Sequence, residues 1–253
     1  MISLHKRDKE LLELIQNYFK VGNITKHGPQ SVQYRVSSIE DLEVIINFLD
    51  KYKLITQKYA DYELFKKAHI LIKNKEHLTE QGVRKFVAIK ASINLGLSPE
   101  LQSAFPDVMA VVRPIVLETK IYPDWVRGFA SAEGCFLVKL LKSSSSKLKT
   151  KVQLVFQLTQ HSRDEKLMRS FIDYFDCGNI FKDGNNFVFR VSKFDDLDNK
   201  IIPFFQKYPI FGVKYEDFLD FCRAALVIKN KKHLTMEGLD ELCLIKTGMN
   251  KGR

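Results

Sequence analysis

An internal tandem repeat limits the possible folds of this sequence more than any other feature. The segment IKNKEHLTEQG at residues 72–82 recurs as IKNKKHLTMEG at residues 228–238. VGNI at residues 21–24 recurs as CGNI at residues 177–180, with the same spacing between the copies. Because such matches are colinear over most of the chain, we expect two copies of one structural unit.

The two copies differ in extent at their N-terminal ends. Residues 122–156 of the second copy have no counterpart in the first, so that Met1 aligns with Gln157. Residues 97–120 match neither copy and contain three prolines, as is typical of a linker. We therefore expect a first repeat shortened at its N-terminus over residues 1–96, a linker over residues 97–120 and a complete second repeat over residues 121–253.

Hydrophobic periodicity predicts the order α-β-β-α-β-β-α-α for the second repeat, followed by a last helix. Apolar residues alternate with polar ones at residues 135–142 and 148–160, which indicates strands. The turn residues at 183–186 predict a hairpin between two further strands. Helices are predicted at residues 124–133, 164–175, 195–208 and 216–229 and from Thr235 onward, with Asp124 and Thr235 capping the first and the last.

The charge and composition narrow the function classes. The formal net charge of +10 and the sequence pI of about 9.3 favour a polyanionic partner such as nucleic acid, although charge alone does not identify it. No apolar run approaches the about 18 residues of a membrane span, so we expect no membrane partner. The four cysteines form no CxxC pair, and the sequence therefore indicates neither a disulfide framework nor a zinc site.

The segment WVRGFASAEGCFLV at residues 125–138 carries the most unusual pattern. Gly128 and Ala132 are four residues apart and share one helix face, where together with Ser131 they allow a second helix to approach closely. Glu133 is expected at the C-terminal end of this helix, where the helix dipole disfavours an anion. A carboxylate in that place is either exposed and inert or binds a cation, and these residues alone leave both possibilities open.

This segment resembles the signature helix of the LAGLIDADG homing endonucleases. It matches the pattern Trp-hydrophobic-x-Gly-Phe-x-x-Ala-Glu-Gly-Cys-Phe, and FQLTQH, GNI and YPIFGVKYEDF follow in the order of the single-chain, two-repeat members. The resemblance covers essentially the whole chain, apart from the missing front of the first repeat. It implies an α+β fold of two pseudo-symmetric αββαββα repeats, whose antiparallel sheets form a saddle that binds DNA in the major groove.

The resemblance also implies roles for individual residues. Glu133 would bind Mg²⁺, or another divalent cation such as Ca²⁺ or Mn²⁺, and Gln157 would lie near the metal-bound water. Lys214 and its counterpart Lys58 would support the nucleophilic water or the phosphate. The first signature helix, with its acid, is absent from this sequence. We therefore expect cleavage by this chain alone to be impaired, and an upstream fragment or a second subunit to restore it.

Strands in a major groove are expected to carry basic and amide side chains at alternate positions, with apolar ones beneath. Residues 147–157 show this alternation. A solvated strand face is the better explanation for any single position, whereas the set as a whole favours contact with DNA. The candidate DNA-contacting residues are Lys26, Gln33 and Arg35 in the first repeat and Lys139, Lys147, Lys149, Lys151, Gln153, Lys182, Asn185 and Arg190 in the second.

Three functions follow from the resemblance. The first is an intron-encoded, site-specific endonuclease that acts on double-stranded DNA. The second is a non-catalytic nucleic-acid binder, such as a maturase that assists splicing of intron RNA, and the loss of one acid suits this role. The third is an inactive remnant. The family also implies an origin in an organelle intron and hence a mitochondrial location.

We predict that the affinity of the chain for duplex DNA falls about a hundredfold or more between about 50 and about 200 mM salt, because lysines near phosphates displace bound counterions. Fluorescence anisotropy with a labelled duplex measures this dependence. An affinity that did not change with salt would contradict binding through the basic strand positions.

Overall fold

The computed structural model describes residues 1–116 and 120–250. It divides into two compact units, residues 1–120 and residues 121–253. Both units combine an antiparallel sheet with helices, which confirms the α+β class predicted from the sequence. Within the described ranges, no helix is both long and apolar enough to cross a membrane.

The first unit contains a small sheet that helix α1 covers on one face. Its strands pair in the order β1-β3-β2, and Leu12 of α1 and Tyr34 of β3 are buried. In the described part of this unit the strands are β1 (Ile2–His5), β2 (Asn23–Lys26) and β3 (Ser31–Arg35), the helices are α1 (Lys9–Phe19), α2 (Ile39–Lys51), α3 (Lys58–Lys73), α4 (Glu80–Ala91) and α5 (Pro99–Ala104), and 3₁₀ turns lie at Lys6–Asp8 and Glu76–Leu78.

The second unit contains a larger antiparallel sheet, in the order β4-β5-β7-β6. In its described part the strands are β4 (Gly134–Lys142), β5 (Thr150–His161), β6 (Asn179–Asp183) and β7 (Asn186–Val191), the helices are α6 (Pro123–Glu133), α7 (Glu165–Phe175), α8 (Phe194–Asp196), α9 (Ile202–Lys207), α10 (Lys214–Lys229) and α11 (Met236–Thr247), a π-helical turn spans Leu197–Ile201, and 3₁₀ turns lie at Ser162–Asp164 and Lys232–Leu234. The predicted hairpin is confirmed, since Gly184 and Asn185 join β6 to β7.

Aromatic side chains between the sheet and the helices form the core of the second unit. Phe136 of β4 lies 5.1 Å from Phe156 of β5 and 5.3 Å from Phe218 of α10, measured between ring centroids. All three are fully buried, and burial of each contributes about 1.5–3 kcal/mol to folding. This packing presses α10 against the first two strands and so sets the position of its N-terminal residue.

Two predicted helices differ in detail from the observed ones. Asp124 does not cap α6, because Tyr122 occupies the N-cap position and Pro123 starts the helix with a backbone angle suited to it. Asp124 instead pairs with Arg127 in the same turn. The helix expected over residues 195–208 is interrupted by the π-helical turn just before Pro203, a residue that has no N–H to donate to the preceding turn.

The described part of the predicted linker packs against the first unit. Val111 contacts a buried cluster formed by Leu64, Ala68 and Ile89. Its backbone oxygen also accepts a hydrogen bond from the Ser92 hydroxyl, at 2.5 Å. Residues around 111 therefore contribute to the apolar core between α3 and α4.

The repeated IKNK segment forms the same tight corner in both units, between α3 and α4 and between α10 and α11. The hydroxyl oxygens of Thr79 and Thr235 accept hydrogen bonds from the backbone N–H groups of Gly82 and Gly238, at 3.0 and 3.1 Å. The cap predicted at Thr235 is thus confirmed, and the same cap starts α4 in the first unit.

We predict that Gly238→Ala destabilises the chain by about 1–3 kcal/mol, because the added methyl group has to displace backbone that is already closely packed. It would lie 2.0 Å from the carbonyl oxygen of Lys232. In the control Gly128→Ala, the added methyl group meets no atom of the described residues within 4 Å apart from the backbone of its own helix, and better helix propensity stabilises α6 by up to about 1 kcal/mol. Urea denaturation followed by circular dichroism gives both values, and equal stability of the two variants would contradict the packing argument.

Candidate active site

Helix α6 ends at Glu133, and strand β4 begins at the next residue, Gly134. Ala130 is buried, whereas Gly128 and Ala132 lie on an exposed face, as expected for a face of small residues. Gly134 follows Glu133 directly, and a Cβ atom at this position would lie 2.5 Å from the carbonyl oxygen of Ala130. Glycine is therefore required for the helix to pass into the strand without a loop.

The carboxylate of Glu133 is exposed at the C-terminal end of α6. The unpaired carbonyl groups at a helix C-terminus create a negative potential, which favours a cation near this carboxylate. Among the described residues, no group of three or more acidic, histidine or cysteine side chains could hold a metal ion. A cation at Glu133 would therefore need further ligands, such as water or the oxygens of a phosphate.

Lys214 lies next to this carboxylate-bearing end of α6. It is the first residue of α10, and its ammonium group donates to the carbonyl oxygen of Ala132 at 2.9 Å. The backbone N–H of Phe211 donates to the hydroxyl oxygen of Ser131 at 2.8 Å. Two successive residues before Glu133 are thus bonded to the segment that leads into α10, and a positive charge is held beside the acid.

Gln157 of strand β5 lies beside the first residues of β4, the strand that follows Glu133. It pairs directly with Cys135 on one side and with Arg190 on the other. The Arg190 guanidinium donates to the Gln157 side-chain oxygen at 3.4 Å and stacks over the ring of Phe181 at 5.0 Å from its centroid. The structure therefore brings Glu133, Gln157 and Lys214 to the start of β4, and it adds Arg190 as a partner that orients Gln157.

Cys135 is a further member of this group that the sequence pattern did not identify as functional. Burial raises the pKa of the Cys135 thiol, and the charge of Lys214 opposes this shift. Asp217 raises the same pKa further, whereas Lys139 lowers it. The charges of both lysines and of the buried Asp217 thus act on the start of β4.

Lys58 occupies the corresponding position in the first unit, at the start of α3. Its ammonium lies 3.4 Å from the side-chain oxygen of Asn94 and 3.8 Å from a carboxylate oxygen of Asp61. The Arg113 guanidinium donates to Asp61 at 2.7 Å and to the carbonyl oxygen of Gln57 at 3.0 Å. A residue of the predicted linker therefore braces the turn from which Lys58 projects, and periodicity gave no sign of this role.

The family model described as LAGLIDADG endonuclease matches residues 1–69 and 126–225, which is more than half of the chain. The chain belongs to the LAGLIDADG endonuclease family. The resemblance drawn from the signature segment is thereby confirmed.

Known relatives in this family are similar to the chain in sequence. Probable intron-encoded endonuclease 3 of Neurospora crassa is 42% identical over 250 residues, which cover 96% of this chain and 47% of that protein. Probable intron-encoded endonuclease 2 of the same fungus is 38% identical over 265 residues, which cover 98% of this chain and 57% of that protein. The chain therefore spans about half the length of the curated relatives it matches.

Solved structures of the LAGLIDADG family match the fold closely. The homing endonuclease I-SmaMI bound to cleaved DNA is 48% identical with a TM-score of 0.97, over 100% of this chain and 86% of that chain. I-SmaMI bound to an uncleaved DNA target in the presence of calcium ions is 47% identical with a TM-score of 0.97, over 98% of this chain and 86% of that one.

In this LAGLIDADG protein, the second sheet carries part of the predicted polar face. Lys139 lies opposite Gln153, and both share the face of Gln157 with the exposed Lys151. Val155 also belongs to this face, but it is only 1% exposed. The polar surface is therefore interrupted by one buried apolar position. Asn185 is exposed in the hairpin turn at the end of the sheet.

Two lysines expected on strand β5 lie outside it. Lys147 and Lys149 belong to the loop between β4 and β5, and the strand begins at Thr150. The backbone of Lys149 is left-handed, with a φ of 53°, and its N–H donates to the carbonyl oxygen of Ser146. These turn hydrogen bonds replace strand pairing, so the strand positions predicted for the two lysines are wrong, although both side chains remain exposed.

Two other candidates lie on the opposite face of their sheets. Lys182 pairs with Phe187, a buried residue of the helix-covered face, whereas Arg190 belongs to the other face. Lys26 is likewise on the face opposite to Arg35 in the first unit. Directly paired residues share one face of a sheet, so Lys182 lies on the face of Phe187 and Lys26 on the face of Val32.

Gln33 lies on the expected face, but it is only 8% exposed. Its amide nitrogen donates to the hydroxyl of Ser3 at 3.1 Å and contacts the sulfur of Met1 at 2.8 Å. The expectation of an exposed amide at Gln33 is therefore wrong, since neighbouring strand residues cover it. Arg35, two residues later, is exposed.

We predict that Arg113→Ala destabilises the chain by about 2 kcal/mol, because it leaves the Asp61 charge buried without its main partner. The side chain of Arg113 is 34% exposed, which reduces the effect below that of a fully buried pair. Arg84→Ala is the control, since its ion pairs are exposed and contribute about 0–1 kcal/mol. Urea denaturation at pH 7 measures both variants, and equal losses would contradict a special role for Arg113.

The stability lost in Arg113→Ala is expected to depend on pH. Burial raises the pKa of Asp61, but hydrogen bonds from Arg113 and Asn94 and the charges of Arg113 and Lys58 bring it below its usual range. Because the folded-state pKa is the lower one, this stabilisation is present above about pH 4 and is lost as the pH falls through the folded-state value. We therefore expect the stability difference between native chain and Arg113→Ala to shrink on acidification.

Proposed function

We propose that this chain acts as a site-specific DNA endonuclease, which binds a long duplex target in the major groove and hydrolyses phosphodiester bonds with a divalent cation. The observation that carries the proposal is the exposed Glu133 carboxylate beside the Lys214 ammonium at the end of α6. The likeness to I-SmaMI, described as bound to cleaved DNA, supports the same reading.

The donor set at Glu133 fits a divalent cation of the magnesium type. Mg²⁺ commonly binds one or two carboxylates together with substrate phosphates and water, and a single exposed carboxylate meets that requirement. The negative potential at the C-terminus of α6 favours the same occupant. A bound divalent cation would lower the pKa of a water molecule and offset the charge that develops on the phosphate. We propose Mg²⁺ as this cation, with Ca²⁺ and Mn²⁺ as the alternatives.

The other residues act on water and phosphate. Lys214, held by the carbonyl oxygen of Ala132, offers N–H groups and a positive charge to the phosphate oxygens in the transition state. The side-chain oxygen of Gln157 accepts from Arg190, which directs its amide N–H groups toward the water or the phosphate. Lys58 has the same role in the first unit, where it offers N–H groups and a positive charge to phosphate oxygens.

The basic and amide side chains have two roles in DNA binding, contact with phosphates and recognition of base edges. Lys139, Lys147, Lys149 and Lys151 supply charge to phosphates, which fixes the register on the duplex. Gln153, Arg35 and Arg190 have the donors and acceptors that distinguish base edges in the major groove. Lys26, Lys182 and Gln33 are not needed for this arrangement.

We also propose a mitochondrial location for the protein. Two further relatives are described by their introns, a protein in ND4 intron 1 of Podospora anserina and a cox1 intron-2 protein of Schizosaccharomyces pombe. The sequence also predicts three other partners: intron RNA, an upstream fragment and a second subunit. Each of them stays a prediction.

The decisive experiment uses the purified chain, Mg²⁺ and a supercoiled plasmid that carries the DNA target of I-SmaMI. We predict nicking of one strand, and a rate at least about a hundredfold lower for Glu133→Gln, because the variant lacks the charge that holds the cation. Glu165→Gln is the control, since Glu165 pairs with Arg169 on the surface of α7. Conversion to nicked and linear plasmid on agarose gels gives the rates.

The outcomes separate the candidate functions. Full activity of Glu133→Gln, or activity that persists in excess EDTA, would contradict the proposed role of Glu133. Tight binding to the target without any strand cleavage would reject the nuclease and favour the non-catalytic binder.

A further inference from the structure

A hydrogen-bonded clamp joins the segment after helix α11 to the strand that follows Glu133. The backbone N–H of Asn250 donates to a carboxylate oxygen of Asp217 at 2.9 Å, and its side-chain amide donates to the carbonyl oxygen of Phe136 at 3.0 Å. The thiol of Cys135 donates to the side-chain oxygen of Asn250 at 3.5 Å. Asp217 is only 6% exposed, so the clamp is anchored in the interior of the unit.

Helix α10 thereby holds the backbone on both sides of Glu133. Lys214 donates to the carbonyl oxygen of Ala132, immediately before the acid. Asp217, one turn later in the same helix, holds Asn250 against Cys135 and Phe136 of β4, the second and third residues after the acid. We propose that Asn250, together with Asp217, is a positioning residue that fixes the Glu133 carboxylate for cation binding. This inference rests on the proposed role of Glu133.

Asparagine suits this position for two reasons. Asn250 has a left-handed backbone with a φ of 57°, a conformation that asparagine adopts more readily than most residues. Its amide is both a donor and an acceptor, so it bonds a carbonyl group and a thiol at once.

The first unit contains the same anchor without the same contact to a strand. Asn94 has a φ of 52°, and its N–H donates to Asp61 at 3.4 Å. Its side-chain oxygen accepts from Lys58 instead. The bond from the asparagine N–H to the buried aspartate is therefore present in both copies, whereas β4 lies in a segment of the second copy that has no counterpart in the first.

The variant Asn250→Gly keeps the bond from the backbone N–H to Asp217 and removes the bond from the side-chain amide to Phe136. Glycine tolerates the left-handed backbone and keeps the N–H that Asp217 accepts, but it has no amide to hold β4. Thr247→Ala is the matched control in the same segment, because among the described residues its hydroxyl donates to the carbonyl oxygen of Leu244, within α11. Glu133→Gln serves as the reference for loss of the ligand itself.

The first measurement is Mn²⁺ binding to the full chain, followed by electron paramagnetic resonance in the presence of duplex DNA. We expect Glu133→Gln to abolish the site and Asn250→Gly to weaken it about tenfold, the usual effect of losing a group that orients a metal ligand. Thr247→Ala is expected to bind Mn²⁺ like the native chain.

The second measurement is amide hydrogen exchange. We expect Asn250→Gly to accelerate exchange in Gly134–Lys142 and to leave Glu165–Phe175 unchanged, because the clamp acts only on the start of β4. Acceleration throughout the second unit would show a general structural role and overturn the inference.

The two proposals fail in different ways. If Glu133→Gln removes Mn²⁺ binding while Asn250→Gly binds like the native chain, Asn250 is not a positioning residue, and the proposed function stands. If Glu133→Gln leaves Mn²⁺ binding unchanged, the cation role of Glu133 is wrong, and the inference falls with it.

Discussion

The direct passage from helix α6 into strand β4 is the constraint on which the candidate active site depends. Gly134 permits it, since a side chain there would collide with the carbonyl oxygen of Ala130. The helix must therefore end at Glu133, where its carbonyl groups disfavour an anion. Lys214 donates to one of these groups and places a positive charge beside the acid. Packing of α10 against this junction thus brings an ammonium group to a helix end that by itself disfavours the Glu133 carboxylate.

The two repeats share one arrangement of lysine, aspartate and asparagine, which makes different further contacts in each unit. Lys58 and Lys214 both start a long helix, and each helix carries a buried aspartate that accepts the N–H of a left-handed asparagine. In the second unit this asparagine, Asn250, also holds strand β4. In the first unit Arg113 reaches the aspartate instead and ties it to the start of α3. Both copies thus keep the bond from the asparagine N–H to the buried aspartate, whereas β4 belongs to a segment of the second copy that has no counterpart in the first.

Much of the fold and part of the candidate site could be predicted from local pattern. Strand alternation, hairpin residues and the Thr235 cap depend on neighbours in sequence, and these predictions are confirmed. The strand positions of Lys147 and Lys149 failed because turn hydrogen bonds in a serine-rich loop outweigh alternation. Lys182 failed because its face depends on pairing with Phe187, a partner that alternation within one strand does not reveal.

The sequence by itself determined the duplication, the α+β class, the family and the acid that ends the signature helix. These features are carried by residues close together in the chain, where spacing and propensity act directly. Only the tertiary structure decided which groups surround Glu133, because Lys214 and Asn250 are brought there by the packing of α10 and α11. Contacts between residues about a hundred positions apart depend on the whole core, and no local pattern encodes them.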